Sequence, residues 1–389
     1  MTLPPPDAEA LAHSQRLHKE ISRRIAAAGG WLSFADFMAA ALYAPGLGYY
    51  TAWMRKFGAG GDFITAPELT PLFARSLARQ AAQIMSASAP RILEAGAGSG
   101  RLAADLLLAL EAEDALPESY SILEISTDLR QRQRAWLARQ APHLLDRVVW
   151  LDDLPARFSG LALGNEVLDA MPVHCVTWRH GAILERGVIL DADGQFQWQP
   201  RPAVGRLLQA AEAIAGACPL PPDFESEIAL AAPAWAAAWG ERLTRGCLLL
   251  IDYGFPRHEF YHPDRQSGTL MCHYRHYAHS DPLMLTGLQD ITAHVDFTAL
   301  IEAAYPAGLE LLGYTHQAQF LLNCGVLDDL AMMADQYEPA SPLYIKATAA
   351  VQKLIAPQEM GELFKVMAMG KNIDAPLIGF ARGDKSHTL

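Results

Sequence analysis

The chain has 389 residues, enough for one large domain with insertions. Apolar residues make up 51% of it, which supplies a sizeable core and excludes wholesale disorder. The net charge of −12 argues against a nucleic-acid partner, because phosphate recognition needs a positive field.

The cysteines and the first residues bear on the compartment. The five cysteines are odd in number, widely spaced and without a C-x-x-C pair, as is typical of free, buried thiols in a reducing compartment. The opening MTLPPPDAEALAHSQRLHKE contains no apolar signal segment, and no apolar run in the chain is long enough to span a bilayer. We therefore expect a cytoplasmic protein without membrane insertion.

The first 165 residues predict helices followed by a strand–helix alternation. Helices are expected over 8–28 and 33–43, and a Gly-rich loop then leads into a helix with Pro67 and Glu68 in its first turn. From residue 90, four short apolar strands alternate with amphipathic helices: RILEAG, SYSILEIS, RVVWLDD and GLALGNEVLD. This alternation predicts a parallel sheet covered on both faces.

The alternation breaks after residue 171. The run CVTWRHGAILERGVILDADGQFQWQP has a period of two residues around DADG, which predicts an inserted antiparallel hairpin. GCLLLIDYG resumes the sheet, and 256–296 is polar and rich in His, Tyr and Pro, which favours a long functional loop with a strand or two. Helices are predicted through 355, followed by terminal strands in ELFKVMAMG and PLIGFARG.

A glycine turn follows the first of these strands. Glu94, Gly96, Gly98 and Gly100 form the pattern E-x-G-x-G-x-G, and Arg101 stands where a dinucleotide fingerprint needs its last glycine. The chain also lacks G-x-x-x-x-G-K-[ST], which excludes a P-loop. The turn therefore disfavours a nicotinamide oxidoreductase.

S-adenosylmethionine fits the turn better because it carries no phosphate. Glu124, at the end of the second strand, is placed to accept the two ribose hydroxyls, and Asp152, at the end of the third, to meet the adenine amino group. Strand ends of an open parallel sheet converge on one crevice. Each acid alone would be interpreted as a helix cap or a surface charge, but Glu94, Glu124 and Asp152 beside a glycine turn together indicate a nucleotide site.

Seven stretches between residues 61 and 300 resemble, in family order, the MidA methyltransferases linked to assembly of respiratory complex I. They are GDFITAPELTPLF, ILEAGAGSGRLAADLL, LEISTDLRQRQ, GNEVLDAMPV, LLLIDYG, GTLMCHYRHYAHSDPL and DITAHVDFTAL. The resemblance implies an α/β, Rossmann-like class I methyltransferase fold with a seven-stranded, mostly parallel sheet. It further implies a helical cap and cofactor-covering loop over 1–85 and a methyltransferase domain over 86–389, with insertions at about 171–245, 256–296 and 315–360.

The same resemblance implies S-adenosylmethionine-dependent methylation of an arginine in a protein, a peripheral-arm subunit of complex I (NADH dehydrogenase). Asp62, Thr65 and Glu68 match the family's GDFITAPEL motif, and we expect them to close over the methionine end of the cofactor. On the alternative interpretation, Asp62 belongs to a simple turn and Thr65 caps a helix.

The segment GNEVLDAMP offers groups for the acceptor. A guanidinium is protonated at neutral pH and is a poor nucleophile, but carboxylates that clamp it can localise its charge. We assign this role first to Glu166 and second to Asp169, and Asn165 to the cofactor. The alternative is that Asn165 or Glu166 only caps a following helix.

His294 and Asp296 in TAHVDF are candidates for the acceptor side, with His294 accepting a proton. A His–Asp pair before a helix can also be a capping device. The group His258, His262, His273, His276 and His279 raises the possibility of zinc, but its spacing follows no helix and no cysteine joins it, so we expect a polar lid and no metal. A methyltransferase of small molecules and a non-catalytic assembly chaperone that binds the cofactor remain open as alternatives.

Overall fold

The computed structural model describes residues 3–52, 65–338 and 340–389. These residues form two compact units. The first unit holds the described residues of 1–63 together with 168–234 and 255–296. The second holds those of 64–167, 235–254 and 297–389.

The described strands, in chain order, are β1 (Leu32–Ser33), β2 (Arg91–Ala95), β3 (Ser119–Leu123), β4 (Val148–Leu151), β5 (Phe158–Asn165), β6 (Val173–Arg179), β7 (Ala182–Leu190), β8 (Phe196–Pro202), β9 (Phe224–Ala229), β10 (Leu243–Phe255), β11 (Met271–Tyr274), β12 (Tyr277–His279), β13 (Asp290–Thr292), β14 (Val295–Asp296), β15 (Glu310–His316) and β16 (Phe364–Lys371).

The described α-helices are α1 (Ala8–Ala27), α2 (Phe34–Tyr43), α3 (Ala66–Leu69), α4 (Pro71–Ala87), α5 (Arg101–Ala112), α6 (Thr127–Gln140), α7 (Gly205–Ala217), α8 (Ala231–Arg242), α9 (Arg257–Phe260), α10 (Phe297–Ala304), α11 (Gln317–Asn323), α12 (Val326–Gln336) and α13 (Pro342–Ile355).

The first unit is built on an antiparallel sheet in the order β1-β7-β6-β9, with β8 pairing β7. The predicted hairpin is confirmed: β7 and β8 pair from Leu184 opposite Pro202 to Leu190 opposite Phe196. Between them the Asp191 carboxylate accepts hydrogen bonds from the backbone N–H of Asp193 (2.9 Å) and Gln195 (2.8 Å), which is the turn chemistry expected of DADG.

The segment 256–296, expected to be a long loop with a strand or two, has more regular structure than predicted. It begins with the short helix α9 and continues into a small antiparallel sheet in the order β12-β11-β13. Alternating apolar side chains supply its buried face, for example Cys272 and Ile291, which are register partners on β11 and β13. The high content of His, Tyr and Pro had concealed this alternation.

The second unit contains the central sheet, in which seven strands follow the order β15-β16-β10-β5-β2-β3-β4. The pairs from β10 to β4 are parallel, whereas β16 runs antiparallel to both β10 and β15. The prediction of a mostly parallel sheet is confirmed. The exact count of seven strands in the whole sheet is not confirmed.

Helices cover this sheet with apolar faces. Leu102, Leu106 and Leu110 of α5 recur at helical spacing and are buried, as the sequence predicts. Helix α4 packs against α5 and β5 and buries Phe73 and Leu77 in the same core. This packing fixes the strand ends from which the candidate site is built.

Two predicted elements are wrong in detail. The helix expected after the Gly-rich loop is broken at Thr70, whose extended backbone separates α3 from α4. The segment PLIGFARG forms a short 3₁₀ helix, Ile378–Phe380, instead of a strand. The backbone N–H groups of Ile378 and Gly379 donate to the side chains of Gln83 and Gln80, so these donors are not available for strand pairing.

The five cysteines are free and buried, as predicted from their number and spacing. Burial raises the pKa of the thiols Cys175, Cys218, Cys247, Cys272 and Cys324, which keeps them protonated at neutral pH. In the described part of the chain, no helix combines the length and the hydropathy needed to cross a membrane.

Candidate active site

Four neighbouring parallel strands bring their carboxyl ends to one edge of the central sheet. In spatial order these are β5, β2, β3 and β4, which end at Asn165, Ala95, Leu123 and Leu151. The glycine turn, Glu124, Asp152 and Glu166 each follow one of these ends. Most of the sequence-predicted site residues of the second unit therefore lie along one crevice, where open α/β sheets bind ligands.

The glycine turn has a backbone that side chains disfavour. Gly96, Gly98 and Gly100 have φ of 64°, 51° and 80°, all in the left-handed region. A Cβ on Gly96 would lie 3.2 Å from Val167 Cγ2, and one on Gly100 would lie 3.0 Å from the Cα of Gln133. A side chain at Gly96 or Gly100 would therefore crowd neighbouring residues of the protein, whether or not a ligand is bound.

Glu94 lies inside the sheet below this turn. Its Oε2 accepts a hydrogen bond of 2.7 Å from the buried Tyr120 hydroxyl. Burial raises the pKa of the Glu94 carboxyl to about 7, the nearby charge of Glu124 acts in the same direction, and the Tyr120 hydrogen bond opposes both. Glu94 is therefore neither a helix cap nor a surface charge.

The raised pKa makes the stability of the fold depend on pH through Glu94. In the unfolded chain this carboxyl titrates near 4.5, so between about 4.5 and 7 the folded protein binds more protons than the unfolded one. The contribution of Glu94 to the free energy of unfolding is therefore highest below pH 4.5. It falls by on the order of 3 kcal/mol as the pH rises through 7.

We expect Glu94→Gln to remove this pH dependence, because a glutamine does not titrate. Urea unfolding at pH 5 and pH 8 should show a smaller loss of stability with rising pH in the variant than in the wild type. Glu118→Gln, at an exposed glutamate of the same unit, is the matched control and should follow the wild type. An equal pH response in Glu94→Gln and wild type would contradict the assignment.

Glu124 is buried, and both of its carboxylate oxygens accept hydrogen bonds. Oε1 accepts from the backbone N–H of Ser126 (2.9 Å), and Oε2 accepts from Gln133 Nε2 (3.0 Å). An ionised carboxylate accepts hydrogen bonds and cannot donate them, which suits the paired hydroxyls of a sugar. The donor and acceptor chemistry fits a ribose.

Ile125 is a candidate binding residue that the sequence patterns did not indicate. It follows Glu124 directly and its exposed fraction is 60%, although Glu124 and Ser126 on either side are buried. An exposed apolar side chain at this edge offers a surface for a flat ring such as adenine. Its position immediately after the acid at a strand end was the available signal.

Asp152 lies where predicted in the chain but is 92% exposed and pairs with Arg130, at 2.8 Å between Oδ1 and Nη2. Arg130 also donates to the carbonyl oxygens of Glu124 and Leu151, so it joins the ends of β3 and β4. The binding of adenine by Asp152 stays a prediction.

Glu68 is attached to the glycine turn. Its Oε1 accepts a hydrogen bond from Ser99 Oγ, and its Oε2 lies 3.6 Å from Arg101 Nη1. Arg101, which stands in place of the last fingerprint glycine, thus ties α3 to the start of α5. Thr65 occupies the N-cap position of α3, as the capping alternative expects, but its side chain makes no capping hydrogen bond to a described residue. Asp62 lies outside the described residues.

Glu166 has an unusual backbone, with φ of 52° in the left-handed region. Its N–H donates to the carbonyl of Ile251 (2.8 Å), and the next N–H, of Val167, donates to Asp252 Oδ2 (3.1 Å). Its own Oε1 accepts from Asn165 Nδ2 (3.2 Å) and from the N–H of Ala66 (3.4 Å). The next element is strand β6, so the alternative that Asn165 or Glu166 caps a following helix is wrong.

Asn165 carries an orphaned acceptor. Its Nδ2 donates to Glu166, whereas its buried Oδ1 accepts from no group in the described ranges. A buried carbonyl oxygen without a donor is costly. The site is therefore suited to a ligand that brings an N–H group, as the methionine ammonium of S-adenosylmethionine does.

Asp169 and His294 belong to the first unit, where their segments meet. The Ala293 N–H donates to the Asp169 carbonyl (2.9 Å), and the His294 N–H donates to Thr269 Oγ1 (3.0 Å). The His294 ring stands edge-on to Phe255 at 5.2 Å between centroids. Neighbouring Asp296 is paired with Arg257 at 3.3 Å. The acceptor roles of Asp169 and His294 stay predictions.

The histidines between residues 258 and 279 are the side chains for which the sequence raises a zinc site. His258 and His262 lie 3.8 and 3.6 Å from their own neighbours Glu259 and Asp264. Across the described residues, no three His, Cys, Asp or Glu side chains are arranged to hold a metal ion.

A mostly parallel Rossmann-like sheet with a glycine turn and acids at successive strand ends is the arrangement of a nucleotide-binding α/β enzyme. Residues 73–315 match the family described as "Putative S-adenosyl-L-methionine-dependent methyltransferase". The chain belongs to this family, and the sequence resemblance to MidA is confirmed.

Solved and curated relatives agree with this membership. A Burkholderia thailandensis protein solved with S-adenosyl-homocysteine bound is 49% identical, with each chain covered completely and a TM-score of 0.95. Protein arginine methyltransferase NDUFAF7, mitochondrial, of Danio rerio is 28% identical over 92% of this chain and 88% of its own length. Its Drosophila melanogaster homologue is 29% identical over 97% and 91%.

The predicted enzyme class, an S-adenosylmethionine-dependent methyltransferase, is confirmed, and so is the cofactor. The prediction of a cytoplasmic location is wrong, because the curated relatives that cover most of this chain are named as mitochondrial proteins. That prediction rested on the cysteine pattern and on the hydropathy of the first residues, which do not determine the compartment of a protein.

Proposed function

We propose that this chain methylates a guanidinium nitrogen of an arginine in a protein substrate. The names of the curated relatives, protein arginine methyltransferase NDUFAF7, support this choice of acceptor. The MidA resemblance supports a complex I subunit of the peripheral arm as the substrate.

In this proposal the strand ends of the second unit hold the cofactor, which supplies an electrophilic methyl group when bound. Glu124 accepts the ribose hydroxyls, with adenine on Ile125 and its amino group toward Asp152. Gly96, Gly98 and Gly100 admit the methionine portion above Glu94, and Asn165 Oδ1 accepts from its ammonium. Thr65 and Glu68 cover this end, and the family motif in the sequence assigns the same role to Asp62, which lies outside the described residues.

The observation that carries the acceptor assignment is the backbone of Glu166. A left-handed conformation in a non-glycine residue costs about 1–2 kcal/mol, and such outliers cluster at functional sites. Glycine would satisfy the backbone without this cost, so the chain retains a carboxylate here at the expense of stability. This favours a chemical role for the carboxylate.

The Glu166 carboxylate would clamp the substrate guanidinium, localise its positive charge and leave one nitrogen directed at the methyl group. In the reaction that nitrogen gains a bond to carbon, the carbon–sulfur bond breaks, and the guanidinium releases a proton. Asp169 and His294 lie in the first unit, and their roles as a second clamping group and as the proton acceptor rest on the sequence.

Mass spectrometry of complex I subunits, from cells with and without this gene, tests the proposal. We expect methylarginine on a peripheral-arm subunit in the wild type only, restored by the wild-type gene and not by Glu166→Gln. Radiolabel from S-adenosylmethionine in small molecules alone would favour the small-molecule enzyme. Cofactor binding without any transfer would favour the non-catalytic chaperone.

A further inference from the structure

Gln133 connects three parts of the crevice that are far apart in the sequence. It lies on α6 with no exposed surface. Its Nε2 donates to Glu124 Oε2 (3.0 Å) and to the Gly98 carbonyl (3.1 Å), and its Oε1 accepts from Trp150 Nε1 (2.9 Å). One amide thus bonds the ribose acid, the glycine turn and strand β4.

These three bonds permit only one orientation of the amide. The two protons on Nε2 match two acceptors, and the lone pairs of Oε1 match a group that can only donate. A flipped amide would direct its oxygen at a carboxylate and a carbonyl and its NH₂ group at an indole N–H. Trp150 therefore fixes the direction in which Gln133 donates.

The glycine turn is shaped around the same side chain. A Cβ on Gly100 would lie 3.1 and 3.2 Å from Gln133 Cβ and Cγ, so the turn leaves room for the stem of this glutamine. The buried amide makes contacts with fixed groups on both sides, which is the arrangement that restricts a binding carboxylate to one rotamer.

We propose that Gln133 is a positioning residue, which sets the Glu124 carboxylate for the ribose and holds the glycine turn at a fixed distance from it. This inference rests on the proposed role of Glu124 in binding the ribose. Gln133 itself does not touch the cofactor; it acts through Glu124 and the Gly98 carbonyl.

The test compares S-adenosyl-homocysteine with its 2′,3′-dideoxy analogue, whose ribose cannot donate to Glu124. In the wild type we expect the analogue to bind at least about tenfold more weakly, because hydrogen bonds to a charged group are lost. Gln133→Met keeps the volume but neither donates nor orients Glu124. This variant should bind S-adenosyl-homocysteine about tenfold more weakly than the wild type and the analogue almost as tightly, so that the ratio of the two Kd values approaches one.

Gln131→Met, on the exposed face of the same helix, is the matched control and should keep the wild-type ratio. Trp150→Phe removes only the donor that orients the amide, and it should give a ratio between those of the wild type and Gln133→Met. A general loss of stability would weaken both ligands equally and leave the ratio unchanged.

Two outcomes overturn the inference and can be told apart. If the wild type discriminates between the ligands and Gln133→Met and Trp150→Phe keep its ratio, Gln133 is only structural and Glu124 retains its role. If the wild type does not discriminate, Glu124 does not bind the ribose, and the inference falls with that assignment.

Discussion

Replacing Glu166 by glutamine is expected to lower kcat for methyl transfer by on the order of 100-fold, the size of effect seen when one charge-stabilising group is removed from an active site. The Kd for S-adenosylmethionine should stay within about twofold. Glutamine keeps the length of the side chain and can accept from Asn165 and Ala66, but it cannot clamp a cation with a full negative charge.

The variant Glu166→Gly separates the loss of the carboxylate from the strain of the left-handed backbone. Glycine adopts φ of 52° without strain, so this variant should be as stable as the wild type or about 1 kcal/mol more stable, and inactive. Glu118→Gln is the control for a generic change of charge in the same unit. Retained activity in Glu166→Gln, or strong destabilisation in Glu166→Gly, would show that Glu166 is structural.

Local sequence patterns predicted the second unit well. Apolar runs of strand length, helical periodicity and a glycine turn are properties of neighbouring residues, and β2, α5 and the edge with Glu124 follow from them. The acid after β3 could be located because strand ends of a parallel sheet converge whatever the details of packing.

Contacts between distant parts of the chain could not be predicted in this way. In the sequence Gln133 lies within the polar run RQRQRAWLAR, a composition typical of a solvated helix face, yet its side chain is fully buried against Gly98 and Trp150. From the sequence, Arg101 is informative only because a dinucleotide fingerprint would have a glycine there. Its ion pair with Glu68 could not be predicted, because the pair forms only when α3 lies next to the glycine turn.

The backbone of Glu166 is a similar case. Its conformation depends on Ile251 and Asp252, about 85 residues later in the chain. A sequence pattern shows which residues are present. It does not show that the buried carboxylate of Asp252 accepts a hydrogen bond from the N–H of Val167, the residue after Glu166. The sequence alone therefore leaves the helix-capping alternative open, and the structure excludes it because β6 is the next element.

Replacing Gly100 by alanine is expected to raise the Kd for S-adenosylmethionine at least about tenfold, since more than 1.4 kcal/mol of binding free energy should be lost. The added Cβ would lie 3.0 Å from the Cα of Gln133, which is helix backbone and cannot rotate away. Either α6 or the turn must shift, and each carries a part of the proposed ribose site.

Gly194→Ala isolates the effect of this contact. Gly194 has φ of 75°, close to the 80° of Gly100, but a Cβ there meets nothing within 4 Å. Both variants share the cost of a left-handed alanine, about 1 kcal/mol, so both should lose stability in thermal unfolding. Only Gly100→Ala should also lose cofactor affinity in calorimetric titration, because only there does the new methyl group press on Gln133. If both variants keep the wild-type Kd, the distance between the turn and α6 does not control cofactor binding.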